Sequence, residues 1–388
     1  MNVLEHIYHA GLKISRHIAL RDIKRLPACV ISIGNITVGG TGKTPAVIAL
    51  ASEVLNRGLR PCILTRGYGG SVAGPCFVSR GDGPLMTPGE AGDEPYLMAV
   101  KLTGAEIIKG ADRYRAGLLS RGADVFILDD GFQHRRLHRD LDIVLIDSTR
   151  GFGNGRLLPL GPLREPPEEI GRADILVLTR AAAPGVGPGA PPDALPDALR
   201  DASPDALNTP RGPLERFKKT PAQRIYRARH KAMHLIDIAG VTHAPEMLRG
   251  ADVFAFCALA NPGAFFKSVE ETGALLVGRM EFRDHYRYGV RDLKNITARA
   301  RALGAGWIIT TEKDIIKTAG LKATKSAPEK TPKNMPERMP EKMPEKMIDA
   351  PQSMLALAVE FEIPGGFYDE IFAAIGRRLG GDSGIIRQ

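Results

Sequence analysis

Val30-Ile-Ser-Ile-Gly-Asn-Ile-Thr-Val-Gly-Gly-Thr-Gly-Lys-Thr-Pro-Ala-Val47 is the stretch that decides the fold of this chain. A β-branched run, Val30 to Ile33, leads into a glycine-rich segment, and an apolar helical segment follows from Ala46 to Leu55. Strand, glycine loop and helix in this order are typical of a loop that binds phosphate. Glycines let the backbone wrap around a phosphate, and the helix N-terminus adds partial positive charge.

The same stretch predicts which residues contact a nucleotide. Lys43 can reach the β- and γ-phosphates, and the hydroxyl of Thr44 can bind Mg²⁺. The residues expected to bind the phosphates are Thr37, Val38, Gly39, Gly40, Thr41, Gly42, Lys43 and Thr44. The usual pattern has a glycine five residues before Gly42, where this chain has Thr37. Its two adjacent glycines are instead similar to the variant loops of one P-loop subclass.

Composition limits the classes of protein that remain. A chain of 388 residues is long enough for two domains. It contains no run of 18 apolar residues, which is the length that a membrane-spanning helix needs. Its four cysteines are scattered without metal-ligand spacing, which indicates thiols in a reducing cytoplasm. The net charge of +9 favours an acidic partner, namely a nucleotide, a nucleic acid or an anionic membrane. Because no RNA-binding signature with interleaved aromatic residues occurs, we expect no nucleic acid partner. We infer no obligate protein partner.

Residues 2–25 have the pattern of a basic amphipathic helix. Its apolar residues fall along one face, and lysines, arginines and histidines supply the other. Such a helix can lie in an anionic membrane interface, but it can equally pack on the protein's own core. The sequence leaves both interpretations open.

In the rest of the chain, strand-like and helical segments alternate, as is typical of α/β domains. We expect a parallel sheet with helices over 26–182, with strands at Cys29–Ile33, Pro61–Leu64, Val125–Leu128, Ile143–Ile146 and Ile175–Leu178. Residues 183–231 read as a Pro/Ala-rich insert or linker. A second, smaller α/β domain is expected over 232–388, with strands at Val253–Phe256, Trp307–Thr310 and Leu355–Ile363 and a closing helix around Tyr368–Leu379. A Met-Pro-Glu-Lys repeat predicts a disordered loop at 322–350, because a proline every four residues forbids a continuous helix.

An apolar strand that ends in two acids, Val125 to Asp130, is the pattern of a carboxylate presented to the Mg²⁺ of a phosphate loop. Such acids at the carboxyl end of a strand fit the general position of ligand sites in open α/β sheets. Asp129 and Asp130 cannot be separated at this level. One is expected to hold the metal, while the other orients the first or contacts substrate.

Two further residues are candidates for acid–base chemistry. Asp93, in Gly92-Asp93-Glu94-Pro95, can serve a kinase near the acceptor hydroxyl, although a first-turn helix acid explains it equally well. His285 lies in a polar cluster of the second domain, where a structural role is the common alternative. The strand Ile175–Leu178 ends in Thr179-Arg180 and not in the Asn-Lys-x-Asp of GTPases, which favours ATP over GTP.

These motifs occur together, in this order, in one family. The chain resembles the tetraacyldisaccharide 4′-kinases, which phosphorylate a lipid A precursor in Gram-negative bacteria. The matching stretches are 34–45, 65–69, 92–95, 128–134 (Leu-Asp-Asp-Gly-Phe-Gln-His), 161–165, 255–262, 284–286 and 311–314.

The resemblance implies transfer of phosphate from ATP to the 4′-hydroxyl of a tetraacylated glucosamine disaccharide 1-phosphate, forming lipid IVA. It implies peripheral attachment to the cytoplasmic face of the inner membrane, which supports the membrane interpretation of residues 2–25. By motif, Asp93 is expected to activate the hydroxyl together with His285, and Asp129 and Asp130 are expected to act as metal and catalytic acids. The resemblance also places Arg164 and Glu165 on the nucleotide side. The competing interpretations are a P-loop NTPase switch of the metallochaperone type and a membrane-bound nucleotide sensor.

Overall fold

The computed structural model describes residues 2–180, 223–322 and 353–380. Contacts divide these residues into two units. The first comprises the described residues before Ala232 together with those from Glu360 onwards, and the second comprises those from Ala232 to Val359. Most of the insert predicted at 183–231 and the loop predicted at 322–350 lie outside the described residues.

The first unit is an α/β sheet domain preceded by a helix. Its elements up to and including the last strand of its sheet are α1 Val3–Leu20, β1 Cys29–Gly34, α2 Lys43–Asn56, β2 Pro61–Thr65, β3 Cys76–Arg80, α3 Pro88–Ala91, α4 Asp93–Lys101, β4 Glu106–Lys109, α5 Arg113–Gly117, β5 Val125–Asp129, β6 Leu141–Asp147, a 3₁₀ helix Pro167–Arg172, β7 Ile175–Thr179 and β8 Arg224–Arg227.

The eight strands form one sheet in the order β3-β4-β2-β5-β1-β6-β7-β8. All neighbours pair in parallel except β3, which runs antiparallel to β4 at the edge. All residues of β1 and β5 are buried, as expected for central strands covered on both faces. Strand β1 lies between β5 and β6, so the glycine loop that follows it opens at the carboxyl edge, next to the end of β5. That edge is where ligands bind in open parallel sheets.

The second unit carries a smaller sheet. The remaining elements, in chain order, are β9 Arg229–Asp237, β10 Thr242–His243, a 3₁₀ helix Pro245–Leu248, β11 Asp252–Cys257, α6 Pro262–Glu270, β12 Leu275–Glu281, α7 Val290–Ala302, β13 Trp307–Thr311, α8 Glu312–Lys322, β14 Ser353–Glu362 and α9 Gly366–Gly380. The strand order is β10-β9-β14-β13-β11-β12, with β10 antiparallel to β9 and the β14-β13-β11-β12 pairs parallel.

The predicted α/β class with a parallel sheet, a second α/β unit and an amphipathic N-terminal helix is confirmed. Two boundaries differ from the sequence expectation. Residues 224–227 form strand β8, paired in parallel with β7, and are therefore not linker. Helix α9 belongs to the first unit, because its apolar residues Phe367, Ile371 and Ile375 join the buried core that contains Val47 and Leu50 of α2.

Among the described residues, no helix combines the length and apolar character needed to cross a bilayer.

Candidate active site

The glycine loop between β1 and α2 is shaped by two residues with positive φ. Gly39 has φ +106°, and Gly42, which precedes the first turn of α2, has φ +89°. Both values lie in the region that glycine adopts without steric cost. At Gly42 a Cβ would also approach the imidazole ring of His230 to 2.8 Å. Glycine at position 42 is therefore required by space as well as by backbone conformation.

Side chains from β7 and its C-terminal end hold one flank of this loop. The hydroxyl of Thr179 donates to the carbonyl of Thr41 at 2.9 Å, and Nη2 of Arg180 donates to the carbonyl of Gly40 at 2.9 Å. Arg180 also pairs with Asp147 at the end of β6. These two contacts fix the loop backbone at Gly40 and Thr41.

The other flank of the loop pairs with the segment that contains Arg164. The amide of Val38 donates to the Pro162 carbonyl and the amide of Arg164 donates to the Ile36 carbonyl, both at 2.7 Å. A cleft of about 280 Å³ runs along the loop. Its lining residues are Thr37 to Thr41, Asp147, Arg150, Gly151, Gly153 and Pro162.

Lys43 is the first residue of α2 and its ammonium group lies between two oxygen acceptors. Nζ donates to Oδ1 of Asn35 at 3.1 Å and lies 3.5 Å from Oδ1 of Asp130. Thr44 follows in the first helical turn. A lysine held at the N-terminus of a helix, beside the amides of a glycine loop, concentrates positive charge where phosphate groups bind.

The two acids after β5 occupy different environments. Asp129 is 8% exposed and accepts a hydrogen bond from the Thr65 hydroxyl at 2.9 Å. Burial, with the charges of Asp130 and Glu94, raises the pKa of Asp129 to about 6. Asp130 pairs with Lys43 and accepts from Nη1 of Arg164 at 3.0 and 2.8 Å. Burial acts to raise the pKa of the Asp130 carboxyl, but these two cations outweigh it and hold that pKa below its usual value.

Asp130 also has an unusual backbone. Its φ of +52° lies in the left-handed region, which non-glycine residues seldom adopt. The next amide, that of Gly131, donates to the Ile33 carbonyl at 3.2 Å, so the turn is tied to β1. A Cβ at Gly131 would approach Cβ of Leu128 to 2.6 Å. Strained residues of this kind concentrate at functional sites.

Asp93 lies in the first turn of α4, directly after Gly92, whose φ is +97°. The carbonyl of Ala91, just before α4, accepts from Nζ of Lys109 at 3.2 Å, and because Lys109 ends β4 this contact places the start of α4 at the carboxyl edge of the sheet. Helices α2 and α4 are also in contact. The first unit therefore brings Asp93, Lys43, Asp129 and Asp130 to one edge of the sheet.

His285 belongs to the second unit. Its φ is +60°, and its amide donates to Oδ1 of Asp284 at 3.0 Å. The same carboxylate oxygen accepts from Nζ of Lys313 at 3.2 Å. The Asp284–Lys313 pair thus ties the turn that carries His285 to α8.

Arg164 and Glu165, which the family resemblance implies for the nucleotide side, differ in their contacts. The Arg164 guanidinium contacts Asp130, as described above. Glu165 is 5% exposed and pairs with Arg135 at 3.2 Å and Arg172 at 2.7 Å.

Sequence reasoning missed several residues that support this edge. Asn35 holds Lys43, Thr65 holds Asp129, and Arg180 and His230 lie against the loop. Asn35 and Thr65 each end or directly follow a buried strand, and that position is the one signal that could have drawn attention to them.

Comparisons with known proteins show which proteins this chain is similar to. The family model described as tetraacyldisaccharide-1-P 4′-kinase matches residues 1–332. The tetraacyldisaccharide 4′-kinase of Syntrophus aciditrophicus (strain SB) is 40% identical over 336 residues, covering 83% of this chain and 84% of that protein. That of Anaeromyxobacter dehalogenans (strain 2CP-C) is 42% identical over 310 residues, covering 77% and 76%. The crystal structure of the "apo" form of LpxK from Aquifex aeolicus in complex with ATP superposes with a TM-score of 0.67 at 30% identity, over 97% of each chain.

The raised pKa of Asp129 predicts a pH dependence of stability. In the unfolded chain this acid ionises near pH 3.8, whereas in the folded protein it keeps its proton to about pH 6. The folded state binds more protons between these values, so its free energy of unfolding falls as pH rises through them. Asp129→Asn removes this pH-dependent loss of stability, because asparagine does not ionise. In urea unfolding without nucleotide, the free energy of unfolding of the variant, relative to that of the wild type, should rise by on the order of 2–3 kcal/mol from pH 4 to pH 7.

Asp124→Asn is the matched control, because Arg60 lowers the pKa of Asp124. That variant should be less stable than the wild type at pH 7, and the difference should shrink as pH falls below 4. A pH-independent difference for Asp129→Asn contradicts the assignment.

Proposed function

Because this chain belongs to the tetraacyldisaccharide-1-P 4′-kinase family, we propose that its site transfers the γ-phosphate of ATP to the 4′-hydroxyl of a tetraacylated glucosamine disaccharide 1-phosphate. The product is lipid IVA, an intermediate of lipid A biosynthesis. The observation that carries the proposal is the placement of Lys43, at the start of the helix behind the glycine loop and 3.5 Å from the strand-end acid Asp130.

Phosphate binding is assigned to the loop residues 37–44. Arg180 and Thr179 hold the backbone of this loop by donating to the carbonyls of Gly40 and Thr41, and phosphate binding is proposed for those loop amides that are not already bonded, as that of Val38 is. Lys43 neutralises charge on the β- and γ-phosphates. Its present acceptors, Asn35 and Asp130, orient the ammonium group before the nucleotide arrives.

The same edge fits a magnesium ion that accompanies ATP. Thr44 offers a hydroxyl, and Asp129 and Asp130 offer carboxylates, all hard oxygen donors of the kind that Mg²⁺ prefers. When bound, Mg²⁺ supplies neutralisation of the charge that develops on the phosphates. Asp129, whose pKa is about 6, has to be ionised to serve as a ligand, and a cation beside it lowers that pKa.

The acceptor hydroxyl needs a base, and Asp93 is the proposed one. The proton of the 4′-hydroxyl passes to the Asp93 carboxylate as the oxygen bonds to the γ-phosphorus and the bond to the β,γ-bridging oxygen breaks, which leaves ADP. His285 is proposed as its partner in catalysis, as the family resemblance implies. The Asp284–Lys313 pair that fixes the histidine's turn supports a positioned role for that ring.

Arg164 and Glu165 are proposed to support the nucleotide side. Arg164 holds the Asp130 carboxylate together with Lys43. Glu165 is enclosed by Arg135 and Arg172, so its proposed contribution is to fix the segment that carries Arg164.

Helix α1 is proposed to attach the protein to an anionic membrane, at the cytoplasmic face of the inner membrane as in the family it resembles. Its apolar residues Leu4, Ile7, Ile14 and Ile18 lie three, seven and four residues apart along one face, and each is at least 50% exposed. Basic residues border this stripe. An exposed apolar face with basic borders is typical of a helix in a membrane interface.

The first test is transfer of ³²P from γ-labelled ATP to the tetraacyldisaccharide 1-phosphate in detergent micelles, with and without Mg²⁺. We expect Mg²⁺-dependent label in the lipid. Lys43→Ala should reduce it by at least 10³-fold, since charge neutralisation of this kind carries much of phosphoryl transfer. Lys267→Ala, which removes a 72% exposed lysine side chain of α6, is the control and should keep full activity. Phosphate release without lipid labelling would favour the NTPase switch.

Asp93→Asn tests the base. It should lower kcat by about 10²–10⁴-fold and change the KM for ATP little, because general-base catalysis acts in the transition state. Asp369→Asn removes an acid from the first turn of α9 and serves as the control for the helix-dipole effect alone. A raised KM for ATP with unchanged kcat would make Asp93 a binding or capping residue.

The membrane interpretation is tested by Ile7→Glu/Ile14→Glu. We expect at least a tenfold weaker partition onto phosphatidylglycerol vesicles in a co-sedimentation assay, because two apolar contacts are lost and negative charge is added. Val241→Glu/Val290→Glu alters two residues of the second unit that are 53% and 51% exposed and should leave partition unchanged. Equal partition of both double variants would remove α1 from the interface.

A further inference from the structure

Helix α1 has a second face, which is fastened to the segment that carries Arg164. Glu5, Tyr8 and Arg16 lie on this face, three and eight residues apart. Glu5 is 2% exposed and lies 3.4 Å from Arg156, and Arg16 pairs with Glu169 at 2.8 Å. Both arginines are nearly half exposed, so these ion pairs contribute little directional restraint.

Tyr8 makes the most specific of these contacts. Its ring packs on the buried cluster that contains Ile36, Phe132 and Leu163, and its hydroxyl donates to the carbonyl of Arg164 at 3.0 Å. The amide of Arg164 donates in turn to the Ile36 carbonyl at the start of the glycine loop. The backbone of Arg164 is therefore held from α1 on one side and from the nucleotide loop on the other.

The position of Asp130 depends on this arrangement. Its side chain is 34% exposed and its φ is positive, so burial and backbone preference do not fix the carboxylate. Lys43 and Arg164 are the cations that hold it. A shift of the Arg164 backbone moves one of the two.

We propose that the Tyr8 hydroxyl is a positioning group for Arg164, so that docked helix α1 helps to set the Asp130 carboxylate for phosphoryl transfer. This inference rests on the proposed function, because its readout is kinase activity. It gives α1 a role in the reaction that is separate from membrane attachment: one face meets the lipid surface and the other supports the site.

Tyr8→Phe tests the proposal, since it removes one oxygen and keeps the packed ring. Loss of a single neutral hydrogen bond that positions a charged group should lower kcat roughly 3- to 10-fold and raise the half-saturating Mg²⁺ concentration. The KM for the lipid and the partition onto phosphatidylglycerol vesicles should not change. Tyr226→Phe is the control. It removes a hydroxyl-to-carbonyl bond of the same 3.0 Å length, to Gly366, and should act like the wild type.

A double-mutant cycle separates positioning from general stability. In an Arg164→Lys background, where the Arg164–Asp130 geometry is already altered, Tyr8→Phe should cost less than twofold. Additive losses, or equal kcat values for Tyr8→Phe and the wild type, overturn the inference. A loss of vesicle binding that parallels the loss of activity also overturns it, in favour of an effect on membrane attachment. If the wild type itself labels no lipid, it is the proposed function that fails.

Discussion

The Asp130 carboxylate, held between Lys43 and Arg164, is the interaction on which the site depends. It joins three stretches that are distant in sequence, namely the helix start after β1, the end of β5 and the segment from 162 to 164. Each stretch is fixed independently, β1 to β5 by parallel pairing and the last by its backbone bonds to Ile36 and Val38. The backbone segments that carry the two cations are therefore already ordered. Holding the carboxylate then costs little further conformational entropy.

Two adjacent aspartates acquire opposite properties here because one faces the interior and the other faces cations. The direction of each pKa shift follows from that geometry: burial raises the pKa of Asp129, whereas at Asp130 the attraction of Lys43 and Arg164 together outweighs burial and lowers the pKa. Such a pair suits a site that receives a polyanion with its metal. Asp130 already balances the charges of Lys43 and Arg164. A new cation beside Asp129 would favour its ionised form, which burial disfavours. Charge is thus arranged before the substrate binds, as electrostatic preorganisation requires.

The sequence predicted the central strands, the glycine loop and the strand-end acids because each is a local pattern with its own periodicity. It did not predict β3, β4, β9 or β12, which are short or carry polar residues and lie toward the edges of their sheets. It also assigned α9 to the wrong unit, since an amphipathic pattern does not say which core its apolar face joins. The bond between Tyr8 and Arg164 joins residues 156 positions apart and depends on how distant stretches of the chain pack. No spacing rule reaches that far.

Helix α1 shows why the two interpretations of the N-terminal pattern need not compete. Its apolar stripe remains exposed, while Glu5 and Tyr8 on the other face contact the domain. A helix that only anchored the chain would need no directional bond to a catalytic segment, and one that only completed the core would bury its isoleucines. The exposed apolar stripe and the Tyr8 hydroxyl, which donates to the Arg164 carbonyl, thus belong to the same helix. One helix can then both contact the membrane and help to position Arg164, with no change in the rest of the fold.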